Sequence, residues 1–170
     1  FGVTESVDVV TSTFGKALGG GSGGFASGRA ELVSLLRQRG RPYLFSNSVA
    51  PSIVGGALKA LEILEREPER VERLRANTRY FRRALSEKGF QITPGEHPIV
   101  PIIVGDERCT LYMAAELYRH GIYVVGFTYP VVPRGQARIR VQLSAAHTDE
   151  DLEHAVAAFE EVGRQVNVIQ

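Results

Sequence analysis

The stretch TFGKALGGGSGG, Thr13 to Gly24, sets six glycines and one lysine between two short β-prone segments. Before it, Val7 to Phe14 is β-rich and apolar, and reads as a buried strand. After it, Gly23 to Ser27 reads as a second short strand. Glycine is the residue that lets backbone approach a bulky group closely. Lys16 is one of only three lysines in the chain. Three chemistries compete for it. A P-loop needs its glycines before the lysine and Ser or Thr after it, whereas here Gly15 alone precedes Lys16 and Ala17 follows. Gly19, Gly21 and Gly24 formally satisfy G-x-G-x-x-G, but a strand rather than a helix follows, so the dinucleotide context is missing. The third reading makes Lys16 an active-site amine. At the end of a buried strand desolvation disfavours its charge, and a neutral amine is what attacks a carbonyl. Thr13, three residues earlier, offers a hydroxyl for a phosphate. On spacing alone a solvated loop lysine competes equally well.

Composition narrows the class. The 170 residues are 44% hydrophobic and 23% charged, with a net charge of +1, so they suit a globular core and suggest no nucleic-acid surface. Cys109 is the sole cysteine, which excludes an intramolecular disulfide and fits a reducing compartment. No signal peptide or membrane-spanning apolar run is evident, so a cytoplasmic protein is expected.

Periodicity organises the remainder. Glu31 to Arg39 has helical spacing, and SVAPSIVGGALKALEILERE is a helix with an apolar stripe at Ile53, Leu58, Leu61 and Leu64. Pro68 restarts the helix, and a second, Arg-rich helix runs to about Gly89. HPIVPIIVG is a strand, Arg108 to His120 a helix stopped by Gly121, and IYVVGF a strand. ARIRVQLSA alternates as a strand with one polar face, and HTDEDLEHAVAAFEEVGRQ is a final helix capped by Thr148. This order predicts a small α+β unit joined by two helices to part of an α/β domain.

Other polar residues are candidates of a lesser kind. Arg138 and Arg140 alternate onto one strand face, where a guanidinium can grip a carboxylate with two parallel hydrogen bonds. An ordinary polar face fits that alternation equally well. In FSNS, Ser48 is a candidate N-cap for the following helix. His147 reads as structural, since no G-x-S-x-G elbow is present. His97, His120 and His154 lack ligand spacing with one another or with Cys109, so no metal is expected.

DVVTSTFGKALGGGSGG, RQRGRPYLFSNSVAPSIV and YPVVPRGQARIRVQLSAAHT together resemble the pyridoxal-phosphate-dependent α-oxoamine synthases, which condense an amino acid with an acyl-CoA. The resemblance runs over essentially the whole chain. It implies an α/β chain: the C-terminal part of the aspartate-aminotransferase-like, type I PLP-dependent transferase fold. Residues 1–65 would be the remainder of the large PLP-binding domain and 66–170 the small C-terminal α+β domain. It implies pyridoxal 5'-phosphate as cofactor and Lys16 as its Schiff-base lysine. It further implies that Thr13 helps to fix the cofactor and that Arg140 takes the substrate carboxylate, leaving Arg138 structural. Ser46 and Asn47 are implied to reach the partner's cofactor phosphate across a homodimer interface. Among family members these segments favour those that use glycine and acetyl-CoA over those that use alanine and a longer acyl thioester. The family's carboxylate for the pyridine nitrogen and its ring-stacking histidine fall upstream of Phe1. The abrupt start is therefore expected to mark part of a longer chain, with activity belonging to the complete protein and not to these residues alone.

Overall fold

The computed structural model describes residues 2–19 and 21–170; Phe1 and Gly20 lie outside the described residues. The chain divides into two units, Phe1–Pro68 and Glu69–Gln170.

The first unit begins with a single 3-10 turn, Thr4–Ser6, then strands β1 (Val9–Thr13) and β2 (Gly24–Gly28). These pair antiparallel from Val9↔Gly28 to Thr13↔Gly24. Helices α1 (Ala30–Arg39), α2 (Arg41–Phe45) and α3 (Pro51–Arg66) follow. The buried strand expected over Val7 to Phe14 is not found. β1 is shorter and all five of its residues are exposed, Val10 to 51%. The physical reason is that a two-stranded ribbon cannot cover its own faces. α1 touches the ribbon at Gly28, where a Cβ would meet Leu32 at 3.1 Å, and β1 is left uncovered. In α3 the expected stripe is also displaced. Leu58, Leu61 and Leu64 are 63%, 43% and 41% exposed, while Ala57 is buried and Ile53, Ala60 and Ile63 are half-buried. Two apolar stripes run side by side on this helix, and hydropathy by itself cannot choose between them.

The second unit is a sheet with helices on one face. Helix α4 (Glu69–Glu87) leads to strands β3 (Gln91–Ile92) and β4 (Ile99–Gly105), then α5 (Glu107–Arg119). Strands β5 (Val125–Phe127) and β6 (Ala137–Gln142) and helix α6 (Asp149–Gln165) complete it. The sheet order is β3-β4-β6-β5, all antiparallel. Along β6 burial alternates: Ala137, Ile139 and Val141 are buried, Arg138 half-buried, Arg140 and Gln142 exposed. Val100, Ile102, Ile139 and Val141 therefore join Phe81, Leu85, Met113, Leu117 and the apolar side of α6 in one core. Phe159 is its hub, fully buried and edge-on to both Phe81 and Phe90 with centroids 6.0 Å away. Such a ring contributes about 1.5–3 kcal/mol by burial, and each edge contact adds about 0.5–1.5 kcal/mol.

Local signals set the helix ends. Gly89 and Gly121 adopt φ of 94° and 81°. In each case the next residue's N–H reaches back to the last turn: Phe90 to Leu85 O at 3.1 Å, Ile122 to Leu117 O at 2.8 Å. These are Schellman stops, each sealed by an apolar pair. At the other ends, Asp106 accepts from Cys109 N–H to open α5, and Thr148 with Asp151 forms a reciprocal capping box on α6. Those bonds hold both carboxylates below the ordinary range, the Cys109 N–H acting on Asp106 and the Thr148 N–H on Asp151. Arg82 ties α4 to the β3–β4 connection through the carbonyls of Thr93, His97 and Ile99.

Candidate functional site

Lys16 stands in the loop that joins β1 to β2. Phe14 N–H donates to Gly23 O at 3.0 Å beyond the last strand pair, and Gly19 N–H donates to Lys16 O at 2.9 Å to close a turn. Gly19, Gly21 and Gly23 have φ of 65°, 78° and 77°, a region costly for any residue with a Cβ. Gly24 is fixed for a different reason: a Cβ there would lie 2.4 Å from Ser12 O. The loop thus folds back on itself and turns Lys16 outward. Lys16 and Thr13 are both exposed, and among the described residues neither side chain has a hydrogen-bond or ion-pair partner. The burial expected for Lys16 is not supplied by the described residues, which leave the strand that leads into it uncovered. A strand follows Gly24, in keeping with rejection of the dinucleotide motif.

Ser46 ends α2 in extended conformation, and Ser46 to Ala50 bridges to α3. Ser48 does not cap α3. Ala50 occupies the N-cap without a side-chain bond and Pro51 opens the helix, since proline's fixed φ and missing N–H suit a first turn. This segment lies against the glycine loop: a Cβ on Gly23 would be 2.7 Å from Val49 Cγ2. Ser46 and Asn47, both exposed, are therefore within a few residues of a contact with the Lys16 loop. That contact has no hydropathy signal, since it depends on a missing Cβ.

Arg138 and Arg140 share the sheet face opposite the core, opposite Phe127 and Val125 respectively. Arg138 is spent locally, donating to Gln136 O at 3.1 Å and to Gln136 Oε1 at 3.3 Å. Arg140 lies over the Phe127 ring, Cζ to centroid 4.4 Å, and has no hydrogen-bond or ion-pair partner among the described residues. Its guanidinium donors are unclaimed. Beside it, between residues 121–125 and 140–144, opens a cleft of about 610 Å³. Three of the other polar groups lining it, His147, Asp151 and His154, are committed, whereas Tyr123 and Gln142 are exposed. His147 Nδ1 accepts from Ser144 N–H, Asp151 caps α6, and His154 Nε2 pairs with His120 O. His147 is structural in this sense, and Asn77, buried in α4, reinforces it by donating to Ser144 O and His147 O. Among the described residues no cluster of His, Cys, Asp or Glu is arranged to hold a metal.

The donor set suits pyridoxal phosphate. An amine without a partner suits its aldehyde, hydroxyl and amide donors suit a phosphate, and the glycine loop leaves room beside Lys16 that side chains would fill. Lys16, Thr13, Ser46 and Asn47 belong to the first unit, whereas Arg140 belongs to the second.

The aminotransferase class I and II family model matches residues 1–159. The chain is 53% identical over 98% of its length to 2-amino-3-ketobutyrate coenzyme A ligase of Escherichia coli, of which it covers 42%. It is 46% identical over 99% of its length to 8-amino-7-oxononanoate synthase of Symbiobacterium thermophilum, of which it covers 43%. The solved structure of SPT with PLP matches with a TM-score of 0.91 at 30% identity, over 99% of this chain and 42% of that one. The chain thus spans about two fifths of the length of the curated relatives it matches. With the family match running through both units, the chain belongs to the aminotransferase class I and II family, in its α-oxoamine synthase branch.

Proposed function

We propose that the complete protein carrying this chain is a PLP-dependent glycine C-acetyltransferase. It condenses glycine with acetyl-CoA to 2-amino-3-ketobutyrate and releases CoA, a step in threonine breakdown. The observation that carries this reading is the glycine hairpin that presents Lys16 unpartnered beside Thr13. The higher identity to the 2-amino-3-ketobutyrate enzyme than to the 8-amino-7-oxononanoate enzyme supports the choice of substrates.

Bound pyridoxal phosphate would supply an electron sink for a carbanion at the amino acid's Cα. The chain's own residues do the rest. Lys16 Nζ would hold the cofactor at its aldehyde carbon and, once the glycine amine has displaced it there, would move the proton at glycine Cα. The Thr13 hydroxyl orients the cofactor. Arg140 grips the glycine carboxylate with two in-plane hydrogen bonds, which fixes the Cα–H bond in orientation. Glycine Cα then bonds the thioester carbonyl carbon, the C–S bond breaks, and CoA leaves as its thiol with the proton. Ser46 and Asn47 donate to the cofactor phosphate of the partner subunit in a homodimer. Residues 1–65 accordingly form part of the cofactor-binding domain and 66–170 the small domain. The compartment we propose is the cytoplasm, on the likeness to the bacterial relative; a mouse relative at 52% identity is named as mitochondrial.

The test is borohydride reduction of the full-length protein with pyridoxal phosphate, followed by peptide mapping and turnover assays. One adduct on the Lys16 peptide, with glycine and acetyl-CoA preferred over alanine and longer acyl thioesters, is expected. Lys16→Ala should abolish the adduct, the visible absorbance of the bound cofactor and turnover. Scattered labelling, or turnover retained in Lys16→Ala, would overturn the assignment. A preference for alanine would instead move the protein to the 8-amino-7-oxononanoate reaction.

A further inference from the structure

We propose that Phe127 is a positioning residue for the amino-acid carboxylate: its ring holds the Arg140 guanidinium over its face without taking any N–H donor, which leaves the donors free to bind. The inference deepens the role given to Arg140 above and rests on it.

The sheet face opposite the core carries two arginines on one strand, and the structure treats them differently. Register puts Arg138 directly opposite Phe127 and Arg140 opposite Val125. Proximity would favour Arg138 for the ring. Instead Arg138 turns to Gln136 and uses its Nε and one terminal nitrogen there. Arg140 crosses diagonally to Phe127 and centres 4.4 Å above the ring. Diagonal neighbours on one face are within reach of a side chain this long.

That difference has a chemical consequence. Guanidinium donates hydrogen bonds only in its own plane, while an aromatic ring attracts the cation over the ring face. The Arg140 guanidinium is held over the ring while no carbonyl or carboxylate among the described residues takes its N–H donors, so the attraction leaves them available. A hydrogen-bonding partner would hold Arg140 too, but would consume the donors that a carboxylate needs. The ring restricts a side chain that otherwise samples many rotamers, so less freedom is lost when the carboxylate binds. Phe127 is not among the residues of the core, from which it is separated by the sheet, so its ring is not needed to fill the interior.

The experiment uses the full-length enzyme with its cofactor and three variants: Phe127→Leu, Phe127→Tyr and Arg140→Gln. Glycine binding is read from the absorbance of the bound cofactor without acetyl-CoA, and steady-state constants are measured for both substrates. Phe127→Leu should raise the glycine dissociation constant and KM about fivefold, the size of a cation–π contact at a partly open site. It should leave kcat at saturating glycine and KM for acetyl-CoA within about twofold, the pattern of lost ground-state binding. Phe127→Tyr, which keeps the ring, should restore glycine affinity, and thermal unfolding should be nearly unchanged in both. Glycine affinity unaltered in Phe127→Leu while Arg140→Gln weakens it would overturn the role of Phe127 alone. Equal losses toward both substrates, or no rescue by tyrosine, would also overturn it. Glycine affinity unaltered in Arg140→Gln would remove the carboxylate role of Arg140, and this inference with it.

Discussion

Asn77 offers the sharpest energetic test of the second unit. It sits in the middle of α4, 5% exposed, and its Nδ2 donates to Ser144 O at 3.0 Å and His147 O at 3.1 Å. Those carbonyls belong to the turn between β6 and α6, so one amide joins three elements. Asn77→Leu keeps the size of the side chain and removes both donors. Each neutral hydrogen bond contributes about 0.5–1.5 kcal/mol net, so the pair predicts a loss of about 2 kcal/mol. Native-state hydrogen exchange in the full-length protein reads this locally, at core amides of α4 and α6. A loss of that size lowers their protection about thirtyfold. Asn77→Asp is the internal control. Its carboxylate presents acceptors to two carbonyls, so burial raises its folded pKa above the unfolded value. Its penalty relative to the parent must therefore grow as pH rises above about 4 and shrink below it. A loss under about 0.5 kcal/mol in Asn77→Leu would mean that water serves the two carbonyls equally well, and the reasoning would fail.

Two further outcomes follow from the same unit. Gly163→Ala replaces a helical glycine, a change that ordinarily gains about 1 kcal/mol. Here the added Cβ would lie 2.5 Å from Phe90 Cζ, in a ring held edge-on to Phe159. Overpacking of this kind costs about 1–3 kcal/mol, so the net sign reverses and the melting temperature falls; a rise would show that the ring yields. Acid sensitivity has a definite direction. Asp106, Glu150, Asp151 and Glu160 are all held below their ordinary values: by the Cys109 N–H, by Glu150's own N–H, by the Thr148 N–H and by the Lys88 ammonium in turn. Because the folded pKa lies below the unfolded one, their contribution is present above about pH 4–5 and lost as pH falls through the folded values. Urea midpoints measured from pH 7 down to pH 3 should decline in that window, and Thr148→Ala should cost about 1 kcal/mol at pH 7 while flattening the decline.

Much of the second unit is legible residue by residue, because its signals are local. Gly89 and Gly121 end their helices through their own left-handed backbone, Thr148 caps α6 across one turn, and alternation puts Arg138 and Arg140 on a common face. β3 escapes such reading because two residues carry no period, and IYVVGF yields a strand of only three residues, Val125–Phe127. The Lys16 loop is half legible. Its two flanking strands can be read from the sequence, but the glycine count cannot reveal that Gly24 yields to Ser12 O and Gly23 to Val49.

What the sequence by itself determined is therefore whatever a few neighbouring dihedrals decide: turns, caps, stops and the side of a strand on which a residue emerges. Burial and availability were left to the tertiary structure, since they depend on groups distant along the chain. Val10 is apolar yet exposed because none of the described residues covers β1; Asn77 is polar yet buried because a turn 67 residues away needs its donors. Of two arginines with the same alternation, Gln136 occupies one and Phe127 leaves the other free to bind, a distinction that arises only when β5 is laid beside β6.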